Sequence, residues 1–298
     1  MGPVGLFDGA FFCCFRTHVY SRIYRMPFFV LIAFVMINFA ANSVLSRAGI
    51  YLFGMEPLLF SGIRLASGAM ILAALVSLQS GWPVLDRARC LTATALLIYL
   101  VPFSLAYLTL PSGVGALVLF GVVQITMFAG SAIAGTRPTL WQWLGMGIAM
   151  GGLVWLLWPS ETFAFDRFGI AFMALAGFGW GVFSLRGRGS SDPLADIGLS
   201  FVVLLPVAAV LMLLGAGWSL AGVIVAVVCG GVTSGLGYAL WYYILPQIAA
   251  ITGAVAQLSV PVIAILAGAV LLGEVITFNI LMASTVVLGG IAVAAIRR

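Results

Sequence analysis

Residues 132–156 read AIAGTRPTLWQWLGMGIAMGGLVWL and residues 270–294 read VLLGEVITFNILMASTVVLGGIAVA. At one offset of 138 residues, with no gap, Gly135 falls on Gly273, Gly151 on Gly289 and Gly152 on Gly290. The same offset pairs Ala116 with Ala254, Ser46 with Ser184, Phe103 with Trp241 and Asn42 with Trp180. An internal repeat decides the architecture before any single element does. Here the repeat lies in a chain of 298 residues that is 63% hydrophobic and 7% charged. A soluble domain carries roughly 25% charged residues. The duplicated unit is therefore read as a helical bundle whose solvent is a bilayer.

All 13 basic residues are arginines, set against 8 acids. They stand singly or in pairs between apolar runs and form no basic stripe, which argues against a nucleic-acid partner. Cys13, Cys14, Cys90 and Cys229 show no paired CxxC spacing, and one histidine, His18, cannot complete a zinc site. No metal, cofactor or disulfide is expected. Residues 1–26 hold a short apolar stretch followed by Arg16, Arg22 and Arg25, the reverse of the charge order of a signal peptide. The segment is read as a cytoplasmic N-terminal extension, either an interfacial helix or a tail.

A membrane-crossing helix needs ~20 mostly apolar residues. Ten stretches qualify: 27–46, 55–79, 88–109, 112–134, 139–158, 167–185, 194–214, 218–244, 247–272 and 276–296. With the N-terminus inside, the inner segments carry Arg16, Arg22, Arg25, Arg87, Arg89, Arg137, Arg186, Arg188, Arg297 and Arg298. The outer segments carry only Arg47 and Arg167. That asymmetry predicts both termini in the cytoplasm. The offset maps spans 1–5 onto spans 6–10. Five is odd, so the halves enter from opposite sides, and the expectation is an all-α integral membrane protein of two inverted five-helix repeats. Residues 27–158 form the first repeat and 159–298 the second. Such folds commonly hold a substrate site near the midplane where the halves meet.

Several short marks resemble a known family. They are Glu56-Pro57 followed by Arg64, Trp180 within Ala-Gly-Phe-Gly-Trp, Leu272-Gly273-Glu274, and Gly289-Gly290. Over residues 28–296 the chain resembles a ten-helix, EamA-type member of the drug/metabolite transporter superfamily. It departs from the pattern after span 4, where Gly135-Thr136-Arg137-Pro138 stands in place of the family's common Gly-Glu-Arg-Pro. The resemblance implies export of amino acids, other metabolites or drugs from a bacterial inner membrane. Its amino acid exporter branch, the YddG type, is the first to test.

Polar and aromatic residues deep in the spans are the candidates for a substrate path, since polar groups in hydrocarbon tend to face a bundle interior or cavity. Asn38, Asn42 and Ser46 share one face of span 1 and fit either a hydrogen-bonding wall or helix–helix contact. Gln124, Thr126, Gln257 and Ser259 carry the same two readings. The expected substrate-binding set is Asn42, Tyr99, Phe103, Phe120, Trp180, Tyr238 and Trp241, lining one central chamber. Arg64, inside span 2, either contacts a substrate carboxylate or serves structurally, snorkelling or pairing with Glu56 two turns earlier. Gly147 and Gly151, Gly177 and Gly181, and Gly231 and Gly235 are small-xxx-small pairs expected to seat helices closely, and those of span 5 to support repeat packing or a homodimer. Pro102 and Pro261 are expected kinks. Glu274 is expected to cap the junction of spans 9 and 10.

No carboxylate or histidine falls near mid-span, and no catalytic set is visible. The expectation is a secondary transporter for small amphipathic metabolites, foremost neutral or aromatic amino acids, working by alternating access as a gradient-driven uniporter. The alternatives are export of drugs or other metabolites and, from another class, a non-transporting scaffold or a membrane enzyme.

Overall fold

The computed structural model describes residues 28–79, 81–133, 135, 139–158, 165–248, 253 and 256–296. The N-terminal extension, the departure at Thr136–Pro138 and the closing Arg297 and Arg298 lie outside the described residues. So does the expected boundary between the repeats.

Among the described residues every regular element is helical. In chain order they are α1 (Phe28–Arg47), α2 (Pro57–Gln79), α3 (Arg87–Ala106), α4 (Ser112–Ile133), α5 (Leu140–Leu157) and α6 (Arg167–Gly187). Then follow α7 (Pro193–Val203), α8 (Leu205–Leu214), α9 (Leu220–Val228), α10 (Gly237–Ile244), α11 (Ser259–Leu272) and α12 (Phe278–Ile296). A π-helical turn, Ala48–Leu52, prolongs α1. A longer π-helical stretch, Cys229–Leu236, joins α9 to α10.

Among the described residues six helical stretches are long and apolar enough to cross a membrane, and a seventh if the bent pair α7–α8 counts as one span, against the ten expected from the sequence. α5, α11 and α12 are shorter apolar helices. The outward surface of the helices suits lipid: Ile133 of α4, Leu213 of α8 and Val270 of α11 are 88%, 86% and 82% exposed. Apolar exposure on this scale would drive association in water.

Helix starts follow from local chemistry. The side chain of Asp86 accepts from Arg89 N–H, Asp192 from Ala195 N–H and Ser219 from Gly222 N–H, each satisfying a donor the helix leaves open. Thr139 and Gln142 form a reciprocal capping box at α5. Asp166 caps α6, and the Gly169 N–H it accepts holds its carboxyl below the ordinary carboxylate value. The repeat glycines have like roles: Gly135 (φ 91°) and Gly273 (φ 66°) both take the left-handed conformation just past α4 and α11.

Two breaks have proline as their cause. The stretch expected as one span over 194–214 bends by 41° at Leu204, because Pro206 lacks an N–H and crowds the preceding turn. The stretch expected as one span over 247–272 is interrupted at Leu258, three residues ahead of Pro261, and α11 starts just after it. Pro102 does not break its helix, since α3 runs through it.

α3 and α4 pack against α6, α2 against the Cys229–Leu236 stretch and α7–α8, α11 against α1 and α4, and α5 against α12. These contacts surround a core made by α1, α2, α3, α4, α6 and α10.

Candidate functional site: a buried arginine in an aromatic cluster

The core cluster is built from six helices. α1 supplies Phe39 and Asn42, α2 Arg64, α3 Tyr99 and Phe103, α4 Phe120, α6 Trp180, and α10 Tyr238 and Trp241. None is more than 4% exposed. Phe39 is the hub of the rings: its centroid lies 5.3 Å from Trp180, 5.5 Å from Trp241, 6.0 Å from Tyr238 and 6.5 Å from Phe120. Trp180 lies 4.6 Å from Tyr238 and 4.9 Å from Tyr99, and Tyr99 lies 5.1 Å from Phe103. The seven residues singled out in the sequence therefore meet in one place, six of them packed as rings and Asn42 hydrogen-bonded to Tyr238. Phe39 was not among them; lacking a polar handle, it reads in sequence as one more lipid-facing phenylalanine.

Arg64 lies at the polar heart of this cluster. Its Nε donates to Ser234 Oγ (2.8 Å), and its Nη2 faces Tyr238 Oη (2.7 Å), Tyr99 Oη (3.0 Å) and Asn42 Oδ1 (3.3 Å). The guanidinium carbon also stands 5.0 Å from the Phe103 ring centroid and 5.5 Å from that of Tyr99. The Tyr99 and Tyr238 hydroxyls are 2.7 Å apart. Asn42 Oδ1 accepts in addition from Thr233 Oγ1 (2.6 Å), Ser234 Oγ (3.2 Å) and Cys229 Sγ (3.2 Å), while its Nδ2 donates to Tyr238 Oη (3.0 Å). One amide thus ties α1 to the π-helical stretch and to the arginine.

That stretch permits the approach. A side chain at Gly230 would collide with Ser67 and with the Arg64 carbonyl, so only glycine lets the two backbones touch here. π-Helical insertions often mark functional positions, and this one carries Thr233 and Ser234 to the Arg64–Asn42 pair.

One part of the structural reading of Arg64, its pairing with Glu56, is corrected by its surroundings. Glu56 is not its partner; Glu56 accepts from Leu59 N–H (2.9 Å) as the N-terminal cap of α2. None of the Arg64 hydrogen-bond partners is a carboxylate. Asn38 donates to Phe34 O and Thr126 to Val122 O, each bonded within its own helix, and Ser259, at the start of α11, donates to Ala256 O. Ser46 meets Cys229 Sγ at 3.7 Å.

The two ends of the bundle differ. At the end where α1 stops and α4 starts, Glu274 accepts from the N–H (2.8 Å) and Oγ (2.6 Å) of Ser112. Arg47 lies 3.7 Å from the same carboxylate and donates to the Tyr107 and Leu108 carbonyls at 2.8 and 3.0 Å. Glu274 therefore caps α4 instead of the junction beside it in sequence. Arg47, expected in a loop, is the buried last residue of α1. At the opposite end a cleft of about 310 Å³ opens between α3, α6 and α7, lined by Asp86, Arg89, Thr92, Arg186, Asp196 and Tyr242. Arg89 and Asp196 pair at 2.7 Å on its wall. From its floor the rings lead inward, Tyr242 to Phe183 at 4.9 Å and Phe183 to Trp180 at 5.5 Å.

Comparisons with known proteins bear on this arrangement. Residues 167–296 match the model of the EamA-like transporter family. The chain is similar to an uncharacterized Pseudomonas aeruginosa protein, 42% identical over 266 residues, covering 88% of this chain and 92% of the relative. It is also similar to an uncharacterized transporter of Archaeoglobus fulgidus, 25% identical over 82% of this chain and 90% of that one. A crystal structure with 20% sequence identity superposes at a TM-score of 0.62, covering 89% of this chain and 95% of its own, a likeness of fold. From the family match and the length of chain its relatives share, the chain belongs to the EamA-like transporter family.

Proposed function

We propose that this protein is a secondary transporter that exports small amphipathic metabolites, foremost neutral or aromatic amino acids as in the amino acid exporter branch of its family. In this reading ten spans, as two inverted repeats, rock about the aromatic cluster, with both termini in the cytoplasm of a bacterial cell. The observation that carries it is the cluster itself. Residues from α1–α4 and from α6–α10, the two halves of the chain, converge on one buried site of rings and hydrogen-bonding groups. Aromatic walls take an apolar body, while Tyr and Trp keep a polar edge for its head group.

The ends of the bundle support an inward-leaning state. The Arg47–Glu274–Ser112 contacts close the outer end, and the cleft at Arg89 and Asp196 is the cytoplasmic mouth, two rings from Trp180. Asn42, Tyr99, Phe103, Phe120, Trp180, Tyr238 and Trp241 form the substrate site. Proton relays in membranes use Asp, Glu or His within spans; among the described residues the hydrogen-bond partners of Arg64 are hydroxyls and an amide, which supports export down the substrate gradient.

Flux of labelled L-phenylalanine into proteoliposomes, with and without an imposed pH gradient, tests the reading. Equilibration at the same rate under both conditions is expected. Concentrative uptake driven by the gradient and abolished by Glu274→Gln or Glu56→Gln would overturn the uniport mechanism. Absence of flux for the whole panel of neutral amino acids would overturn the substrate assignment.

A further inference from the structure

We propose that Arg64, together with the indole N–H groups of Trp180 and Trp241, is the anchor for a single carboxylate on the transported molecule, and that an ammonium group on that molecule is dispensable. The proposal rests on the transport reading above and names the chemical class of its substrate.

Three buried donors in the cluster have no hydrogen-bond partner among the described residues: Arg64 Nη1, Trp180 Nε1 and Trp241 Nε1. Buried polar atoms are nearly always paired, so three in one packed cluster need a cause. All three can only donate. The cluster's own acceptors are already engaged; the buried amide oxygen without a partner among the described residues, Gln257 Oε1, belongs to the segment before α11 and not to the cluster. Asn42 Oδ1 receives Thr233, Ser234, Cys229 and Arg64, and the Tyr99 and Tyr238 oxygens serve Arg64 and each other. The unspent capacity of the site is thus donor capacity, and its complement is an acceptor.

Charge sharpens the class. Arg64 is fully enclosed, and hydroxyls, an amide and ring faces surround it without one acidic side chain. A buried cation left unneutralised is costly, and the penalty is relieved by a counter-charge with good hydrogen bonds. One cation calls for one negative charge, which favours a carboxylate over a phosphate dianion. With Nε and Nη2 engaged, Nη1 has an N–H left to donate to one carboxylate oxygen as a charge-assisted bond. Phe39, Phe103 and Phe120 then meet the apolar part of the molecule. An ammonium group would find no unengaged acceptor among the cluster's oxygens.

The test uses the purified full-length protein. Thermal melts in detergent, and competition against labelled L-phenylalanine in proteoliposomes, are run with 3-phenylpropionate, phenethylamine and phenyl phosphate. The expected result is that 3-phenylpropionate competes and raises the melting temperature. Phenethylamine should bind roughly 10- to 150-fold more weakly, the loss expected when a hydrogen bond to a charged group is removed. Trp180→Phe keeps a ring and deletes the N–H, so it should weaken 3-phenylpropionate several-fold and leave phenethylamine unchanged. Arg64→Gln, where it folds, should abolish the preference.

Equal competition by phenethylamine, tighter binding of phenyl phosphate, or no response to any of the three would overturn the anchor. Flux of L-phenylalanine with those results would leave the transport reading standing. Carboxylate-selective melting without flux would uphold the anchor and sink transport.

Discussion

Asn42 is the residue on which the polar core turns. Its carboxamide oxygen takes four donors and its nitrogen bridges to Tyr238. Asn42→Ala leaves Ser234 and part of Arg64 unserved in a buried setting, while Thr233 keeps the Cys229 carbonyl; an unsatisfied buried group costs about 1–3 kcal/mol. A lower thermal midpoint in detergent, together with reduced flux, is the expected outcome; an unchanged midpoint would show that the donors find other partners. Trp180 calls for a milder change. Phe39, Tyr99, Phe183 and Tyr238 all contact its ring, and truncating a large buried aromatic to alanine costs about 3–5 kcal/mol in soluble cores. Trp180→Phe therefore separates chemistry from packing where Trp180→Ala would mix them. The sequence made Asn42 and Trp180 conspicuous as polar or amphipathic groups deep in apolar spans. It left Arg64 between two roles, because whether a charge meets a carboxylate or a ring depends on helices far away in the chain.

At the scale of the element, the small-xxx-small glycines divide by environment. Gly177 and Gly181 seat α6 against α4: a Cβ at Gly177 would lie 2.7 Å from Leu119 O, and one at Gly181 2.6 Å from Thr126 Cβ. Gly147 and Gly151, in the same sequence pattern, face open space, and α5 meets α12 through Gly145, Gly152 and Gly290 instead. Spacing alone places both kinds on one helical face; only the angle at which the partner helix arrives selects the face that is used. Gly230→Ala should sharply reduce the yield of folded protein, since its methyl would drive α9 and the π-helical stretch away from α2, and overpacking of this kind costs about 1–3 kcal/mol. Gly151→Ala should be neutral or stabilising, because alanine is about 1 kcal/mol better than glycine within a helix. Size-exclusion profiles and melting curves of the two variants decide this. Destabilisation or loss of an oligomer by Gly151→Ala would return that face to an interface between copies of the chain.

For the whole molecule, the prediction is orientation. Single cysteines at the C-terminus and beside Asp86 should react with impermeant reagents only from the cytoplasmic side, and one beside Trp218 only from outside. External labelling at the C-terminus would contradict the arginine asymmetry on which the inward-facing cleft depends. The long apolar runs determined that this chain's solvent is lipid and its regular structure helical, because a backbone in lipid must pair internally and unbroken runs of ~20 apolar residues do so as helices, whereas barrel strands alternate apolar and polar. The 138-residue offset and a few short motifs were enough to point to the family. Tertiary structure alone decided that Phe39 is the hub of the rings, that Glu274 caps α4, that Pro206 bends the α7–α8 pair, and that Arg64 meets hydroxyls instead of Glu56. The reason is physical. Hydropathy and helical period are local quantities that every residue carries with it, whereas the partner of a buried polar group is set by how distant helices cross, and in an apolar chain nearly every crossing reads alike.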